Sequence, residues 1–242
     1  MDEQNILKQF EQIEFNEKYH IYKLNGKRLK SVSSLLKQVT PPFDRDLIAA
    51  RKAAKMTREG NPTTAQELIV AWEEKGEKSR NLGTMVHQII SSIFQGLLVS
   101  STSTPEIIAF NKWYTRSKED YRCIATELPI GDADLFGGIG GTIDTLFLRK
   151  ETGMYHIVDW KTGKMEMIDI WGNLLPPFNY LDKSHINKYS IQLGMYKKIL
   201  EKNTGIKFGD SFIVHLGSDG EYNEYKAKNF DSVINEWSKS YE

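Results

Sequence analysis

Three charged residues stand inside two apolar stretches: Asp144 in "GGTIDTLFLR", and Asp159 and Lys161 in "MYHIVDWKT". Both stretches have strand character, with turn signals between them. Alternate side chains of a strand share a face. Asp159 and Lys161 therefore point the same way as Tyr155 and Ile157, and Val158 and Trp160 point the other way. The connecting "RKETGM" supplies a hairpin turn, with Gly153 suited to a positive φ. With "KETG" as the loop, residue 149 opposes 154, and Asp144 falls directly across from Asp159. Opposed like charges, with Cβ atoms about 4.5–5.5 Å apart, destabilise a sheet. A divalent cation between the two carboxylates reverses that penalty, and hard oxygen ligands suit magnesium or manganese. Lys161 then adds an ammonium one pleat beyond. It can orient or help deprotonate a water, or stabilise negative charge on a phosphate. The chemistry this suggests is phosphodiester hydrolysis. An isolated D-x-K, by contrast, ordinarily marks a solvated strand end.

Two helical segments add candidates. In "RNLGTMVHQIISSIF", Arg80, Gly83 and His87 fall on one stripe, beside the apolar face of Met85, Val86, Ile89, Ile90 and Ile93. His87 sits at the edge of the buried face, and Gly83 leaves room for a close approach one turn earlier. In "SIQLGMYKKIL", Gln192 and Tyr196 are neighbours on one face, Lys188 precedes them by a turn, and Lys197 and Lys198 add positive charge. Taken singly, a helical histidine is ordinarily a hydrogen-bonded residue at a core edge. The polar edge of an amphipathic helix explains Gln192 and Tyr196 equally well.

The elements that must position these residues are legible in outline. "YHIYKLNGKRLKSV" alternates around Asn25-Gly26, a two-residue hairpin signal, and Ser33 is placed to cap a short helix that stops before Pro41-Pro42. Helix is expected from Asp46 to about Leu98, broken near "GNPTT", and again in "TPEIIAFNKWYTRS", where Pro105 suits the first turn. After Tyr121 come three strands, "YRCIATELPI", "GGTIDTLFLR" and "MYHIVDWKT". A helix ending at Gly205, two further strands ("FGDSFIVHLG" and "EYNEYKAKNF") and a closing helix complete the chain. The aromatic-rich stretch from Gly163 to Ser190 has no clear regular structure, and loops of that length usually carry function or are disordered.

Composition bounds the rest. The 242 residues are 40% hydrophobic, enough for a sizeable core. Thirty-two basic residues balance 32 acidic ones, so any phosphate-binding surface is a local patch. The single cysteine, Cys123, excludes an internal disulfide and any cysteine-held zinc or iron–sulfur cluster. The amino terminus lacks the pattern of a secretory signal, and no apolar run of about 18 residues would span a membrane. "GGIGGTID" lacks the third glycine of a dinucleotide loop and leads into a strand, and no G-x-x-x-x-G-K-[ST] loop is present. No nucleotide cofactor and no ATP-driven motor are expected.

In order along the chain, "GTMVH", "GGTIDTLF", "IVDWKTGK" and "QLGMY" resemble the PD-(D/E)XK nuclease superfamily in its RecB-like exonuclease branch. The matched segments run from about Arg80 to Leu200. The resemblance implies a restriction-endonuclease-like α/β fold, a mixed central sheet flanked by helices. It implies one nuclease domain over 1–242, with a mainly helical part (1–120) before the mixed-sheet catalytic core (121–242). His87, Asp144 and Asp159 would be metal ligands, helped by the Trp160 carbonyl, for one or two Mg²⁺ or Mn²⁺ ions. Lys161 would be the catalytic lysine and Glu127 in "ATELPI" a further catalytic carboxylate. Gln192 and Tyr196 would contact the substrate backbone, with Arg80 and Lys188 lining a local groove beside Lys197 and Lys198. Trp160, Trp171, Phe178 and Tyr180 are either stacking surfaces for unpaired bases or core.

The implied activity is a metal-dependent DNA exonuclease acting in recombination, repair or replication, on single strands or duplex ends. The stand-alone relatives are phage recombination nucleases and the mitochondrial genome maintenance exonuclease. They imply the cytoplasm of a bacterial or phage-infected cell, with mitochondria as the alternative, and a single-strand annealing or recombination protein as partner. A structure-specific or nicking endonuclease keeps the chemistry and changes the substrate topology. A non-catalytic nucleic-acid-binding module is the alternative of another class, against which the opposed carboxylates argue.

Overall fold

The computed structural model describes residues 3–97, 103–169 and 171–241. Its helices are α1 (Glu3–Lys8), α2 (Val32–Gln38), α3 (Arg45–Arg58), α4 (Ala65–Phe94), α5 (Pro105–Ser117), α6 (His185–Thr204) and α7 (Asp231–Lys239). Its strands are β1 (Ile13–Asn16), β2 (Ile21–Leu24), β3 (Lys27–Ser31), β4 (Tyr121–Asp132), β5 (Ile139–Arg149), β6 (Tyr155–Lys161), β7 (Phe212–Leu216) and β8 (Tyr222–Lys226).

Local chemistry accounts for most boundaries. Asn25 and Gly26 both take positive φ (51° and 76°), as a tight hairpin turn between β2 and β3 requires. The cap of α2 is Ser31, whose hydroxyl accepts from the Ser34 amide, and not Ser33 as the sequence suggests. Strand β3 runs directly into the helix, which leaves no linker to carry the cap two residues later. A reciprocal Thr64–Glu67 capping box starts α4, and Thr104 followed by Pro105 starts α5. Helix α6 ends at Gly205 in the left-handed conformation. Leu98, the expected end of the α4 stretch, lies outside the described residues.

All eight strands join one mixed sheet in the order β1-β2-β3-β5-β6-β7-β8, with β4 along the other edge of β5. The β5–β6 register matches the expectation from turn length: Leu148 opposes Tyr155 and Thr145 opposes Val158. Two clusters of buried side chains cover opposite faces. Leu146, Tyr155, Ile157 and Ile213 pack with residues of α2, α6 and α7. Phe147, Val158, Trp160 and Val214 pack with α4 and α5. This is a restriction-endonuclease-like α/β architecture, a mixed sheet flanked by helices. Three strands from the first 31 residues belong to the sheet, because β3 pairs in parallel with the start of β5.

That pairing creates the cleft. On the edge of β5 away from β4, β3 occupies Ile139 and Gly140, and β6 occupies Thr145 to Leu148. Between them the sheet forks, and residues 141–144 have no strand beside them on that edge.

Candidate metal centre and its surroundings

Asp144 stands at this fork. Its Oδ2 accepts a 2.8 Å hydrogen bond from the Trp160 amide. The like-charge contact persists across the diverging strands: burial first, and the Asp144 charge with it, raise the Asp159 pKa. On β4, Glu127 takes a positive φ of 48°, while the ladder continues on either side through Thr126–Thr145 and Leu128–Ile143. A left-handed residue costs about 1–2 kcal/mol for a non-glycine. Here it accompanies a carboxylate that meets His87 Nδ1 at 3.2 Å. The other nitrogen of His87 lies 3.0 Å from the Trp160 carbonyl and 3.7 Å from Asp144 Oδ2.

His87, Glu127 and Asp144 each offer a ligand atom, and these atoms lie within 4.8 Å of one another. An imidazole and two carboxylates, with the Trp160 carbonyl beside them, form a donor set suited to a divalent cation. Burial opposes charge on His87, but the Asp144 and Glu127 carboxylates outweigh it and raise its pKa from 6.5 to about 9. Both ring nitrogens face oxygen acceptors, so the doubly protonated ring fits the site as it stands. Its charge sits where the oxygens converge.

Asp159 lies outside that trio. Its side chain is 2% exposed, and Lys161 Nζ stands 2.7 Å from its Oδ2. Among the described residues, Asp159 Oδ2 has the Lys161 ammonium as its one close donor, and Oδ1 is buried with none. A buried carboxylate oxygen left so is costly, and a cation at the fork fits it. Burial raises the Asp159 pKa to about 6 against the pull of Lys161. For Lys161 burial opposes the charge, but the Asp159 and Asp144 carboxylates more than offset it and hold the ammonium above its ordinary value.

Helix α6 closes the site from the other face. Gln192 donates to the Tyr196 hydroxyl at 3.1 Å, and both line the cleft with Gly141, Thr142 and Asp144. Tyr196 rests on the backbone of β5, and a Cβ at Gly141 would overlap its ring. The glycine three residues before Asp144 is therefore a steric requirement. At Gly83 the nearest approach is Thr162 Oγ1, 3.5 Å from where a Cβ would stand, an ordinary contact.

Other expected residues are placed elsewhere. The Arg80 guanidinium folds back toward Gly76 on α4, one turn farther from His87. The charged neighbours of Lys188 are Asp169, Glu166 and Lys183, in the segment before α6. Neither lines the cleft. Lys197 pairs with Asp231 at 2.7 Å, and Lys198 bonds Asn235, so both tie α6 to α7 and neither lines the cleft. Trp160 and Phe178 are buried in the core, while Trp171 and Tyr180 are exposed. Of the four aromatics, only the last two have free ring surface.

Two contributors have weak sequence signals. The Tyr189 ring lies 4.8 Å from Lys161 Nζ, a cation–π contact. Its spacing of three before Gln192 puts it on the same helix face, a signal the motif hides. His215, the strand neighbour of Lys161 on β7, hydrogen-bonds the Gly163 carbonyl and fixes the turn after the lysine.

No protein-family model and no curated protein matches the chain. Among solved structures, a candidate exonuclease from Eubacterium rectale aligns over 87% of this chain and 68% of its own, at 13% identity and a TM-score of 0.33. Among the described residues, no helix is long and apolar enough to cross a membrane.

Proposed function

We propose that the protein is a divalent-metal-dependent nuclease that hydrolyses phosphodiester bonds of DNA, working from strand ends. The observation that carries this is the convergence of His87, Glu127 and Asp144 at the sheet fork, beside the Asp159–Lys161 pair. Three hard or borderline ligands on the cleft wall, with a third carboxylate and its paired ammonium largely buried beside them, suit attack of water on a phosphate.

His87, Glu127 and Asp144, with the Trp160 carbonyl, would hold the ion, and Asp159 would add a further carboxylate. Mg²⁺ or Mn²⁺ fits this donor set. Bound there, the ion would supply Lewis acidity toward the phosphate and a more acidic water. The chain's own residues do the rest. Asp159 fixes the Lys161 ammonium at contact distance, and the Tyr189 ring flanks it. A paired ammonium is suited to stabilising charge on the non-bridging phosphate oxygens. Gln192 and Tyr196, locked to each other and seated on Gly141, border the path of the strand. Water adds to phosphorus, the bond to the leaving sugar oxygen breaks in line, and that oxygen leaves with a proton. The whole chain acts as one nuclease domain in this account, because its N-terminal strands wall the same cleft as its catalytic core.

Incubation with end-labelled linear DNA and with covalently closed circles, in Mg²⁺, Mn²⁺ or chelator, tests the proposal. Metal-dependent shortening of linear DNA with circles left intact is the expected result. Nicked circles would reassign the activity to an endonuclease, and intact linear DNA in every metal would overturn the proposal.

A further inference from the structure

The cleft is a cavity of about 840 Å³, within the roughly 300–1,000 Å³ range of small-molecule sites. One side is the His87–Glu127–Asp144 cluster. Next to it stands the β1–β2 hairpin, through Phe15, Glu17, His20 and Tyr22. Among the described residues, no lysine or arginine lines it, and its formally charged residues other than histidine are Glu17, Glu127 and Asp144. A surface of that kind repels phosphate except where a cation sits. The hairpin side must therefore receive a part of the substrate that carries no negative charge.

The hairpin is built for a flat ring. Phe15 stacks on Tyr22 with centroids 4.5 Å apart and planes 16° apart. His20 stands nearly perpendicular to both, at 86° and 83°, so the three rings form a two-walled corner. Tyr22 also borders the cavity but is almost wholly buried, so the exposed ring surface there belongs to Phe15 and His20. The Tyr22 hydroxyl is 3.0 Å from Thr142 Oγ1, which anchors the corner to β5 two residues before Asp144. Residues two apart on a strand share a face about 7 Å apart, so corner and cluster are neighbours along one wall. His20 holds a positive φ of 51°, an uncommon state for a non-glycine residue, in a turn closed by its own amide to the Glu17 carbonyl. A glycine would satisfy that turn more easily, yet the position carries an aromatic ring.

We propose that Phe15 and His20 form a stacking subsite for one unpaired nucleobase next to the scissile phosphate, which makes the substrate single-stranded or frayed at the cut. The proposal rests on the nuclease reading of the cluster. A base pair is too wide to enter the corner with one base, and inside a duplex its faces are covered by its neighbours, whereas an unpaired base presents a free face, and aromatic stacking tolerates any sequence.

Two substitutions test it without breaking the fold. His20→Gly suits the left-handed turn and removes only the ring. Phe15→Leu keeps apolar packing and removes the aromatic face. Affinity is measured with Ca²⁺, another hard cation that takes oxygen ligands, before cleavage sets in, for a labelled single strand, the same strand made abasic at both ends, and a blunt duplex. The wild-type protein should prefer the intact strand over the abasic one by about 5- to 150-fold, the range of one base–aromatic stack. Each variant should lose much of that preference by weakening only the intact strand. Equal wild-type binding to intact and abasic strands would overturn the subsite. So would variants that keep the full preference, or a blunt duplex bound as tightly as the single strand. If DNA is cut in a metal-dependent way without base discrimination, the subsite fails and the nuclease reading stands. If no DNA is bound or cut, both fail.

Discussion

Asp144 does two jobs with one carboxylate, and they can be separated. Oδ2 accepts the Trp160 amide, while the group as a whole completes the trio with His87 and Glu127. Asp144→Asn keeps an oxygen for the amide and removes the charge. Calorimetry with Mn²⁺ should show affinity lowered at least about tenfold, the effect typical of disturbed metal sites, with an unchanged circular dichroism spectrum. Wild-type Mn²⁺ affinity in this variant would remove Asp144 from the ligand set. Tyr189 has a subtler role, since it touches Lys161 through its ring and not through a hydrogen bond. A cation–π contact is worth about 0.5–2 kcal/mol. Tyr189→Leu should therefore lower kcat roughly 2- to 30-fold with KM little changed. A change confined to KM would place Tyr189 in substrate binding.

At the scale of elements, the site depends on how closely α6 lies on β5. Gly141 permits that approach, because Tyr196 occupies the space of a Cβ. Gly141→Ala should cost about 1–3 kcal/mol, as overpacking does, and urea unfolding would read it as a lower midpoint. An unchanged midpoint would mean that α6 shifts freely. Strand β6 carries a second element-level feature. His156 is buried, its Nδ1 donating to the Asp210 carbonyl at 2.7 Å, and Nε2 has no hydrogen-bond partner among the described residues. Burial lowers its pKa, and Arg149 adds to the effect against the pull of the Asp210 carbonyl and carboxylate. The unfolded chain takes up the proton near pH ~6.5, while the folded protein resists until lower pH. Stability from a neutral His156 is thus present above that pH and lost as pH falls toward the folded pKa. Asp159, raised to about 6, changes stability in the opposite sense between its ordinary value and pH 6. The His156 contribution therefore appears in a difference. Between pH 7 and 5 the unfolding midpoint of His156→Gln should fall less than that of the wild type. Parallel curves would contradict the assignment.

For the whole molecule, a cation that binds only the folded fork should stabilise all of it. At a Mn²⁺ concentration one hundred times Kd the gain is about 2.7 kcal/mol. For a chain of this size that raises Tm by about 5–10 °C. Asp144→Asn should abolish most of the rise, and an equal rise in both proteins would place the ion elsewhere. Much of this was legible in the sequence. The β5–β6 register follows from turn length, and the two faces of β6 follow from alternation, as the opposite core clusters containing Ile157 and Trp160 show. What local pattern does not encode is non-local. The fork exists because β3, from residue 31 and before, pairs with β5 more than a hundred residues later. The directions of Arg80, Lys188, Lys197 and Lys198 depend on partners such as Asp231 and Asp169 that no motif includes. The left-handed turn of Glu127 inside a strand likewise has no sequence signature.

The central claim is that Lys161, fixed by Asp159 beside the His87–Glu127–Asp144 cluster, drives cleavage of DNA. Degradation of end-labelled linear DNA in Mg²⁺ or Mn²⁺ by the wild type and by Lys161→Ala tests it most directly. The account predicts that the wild type shortens the DNA and that the variant, still folded and still binding DNA, is slower by about 10²–10³-fold, the usual cost of one lost electrostatic stabiliser. A Lys161→Ala protein that degrades the DNA at the wild-type rate would contradict it.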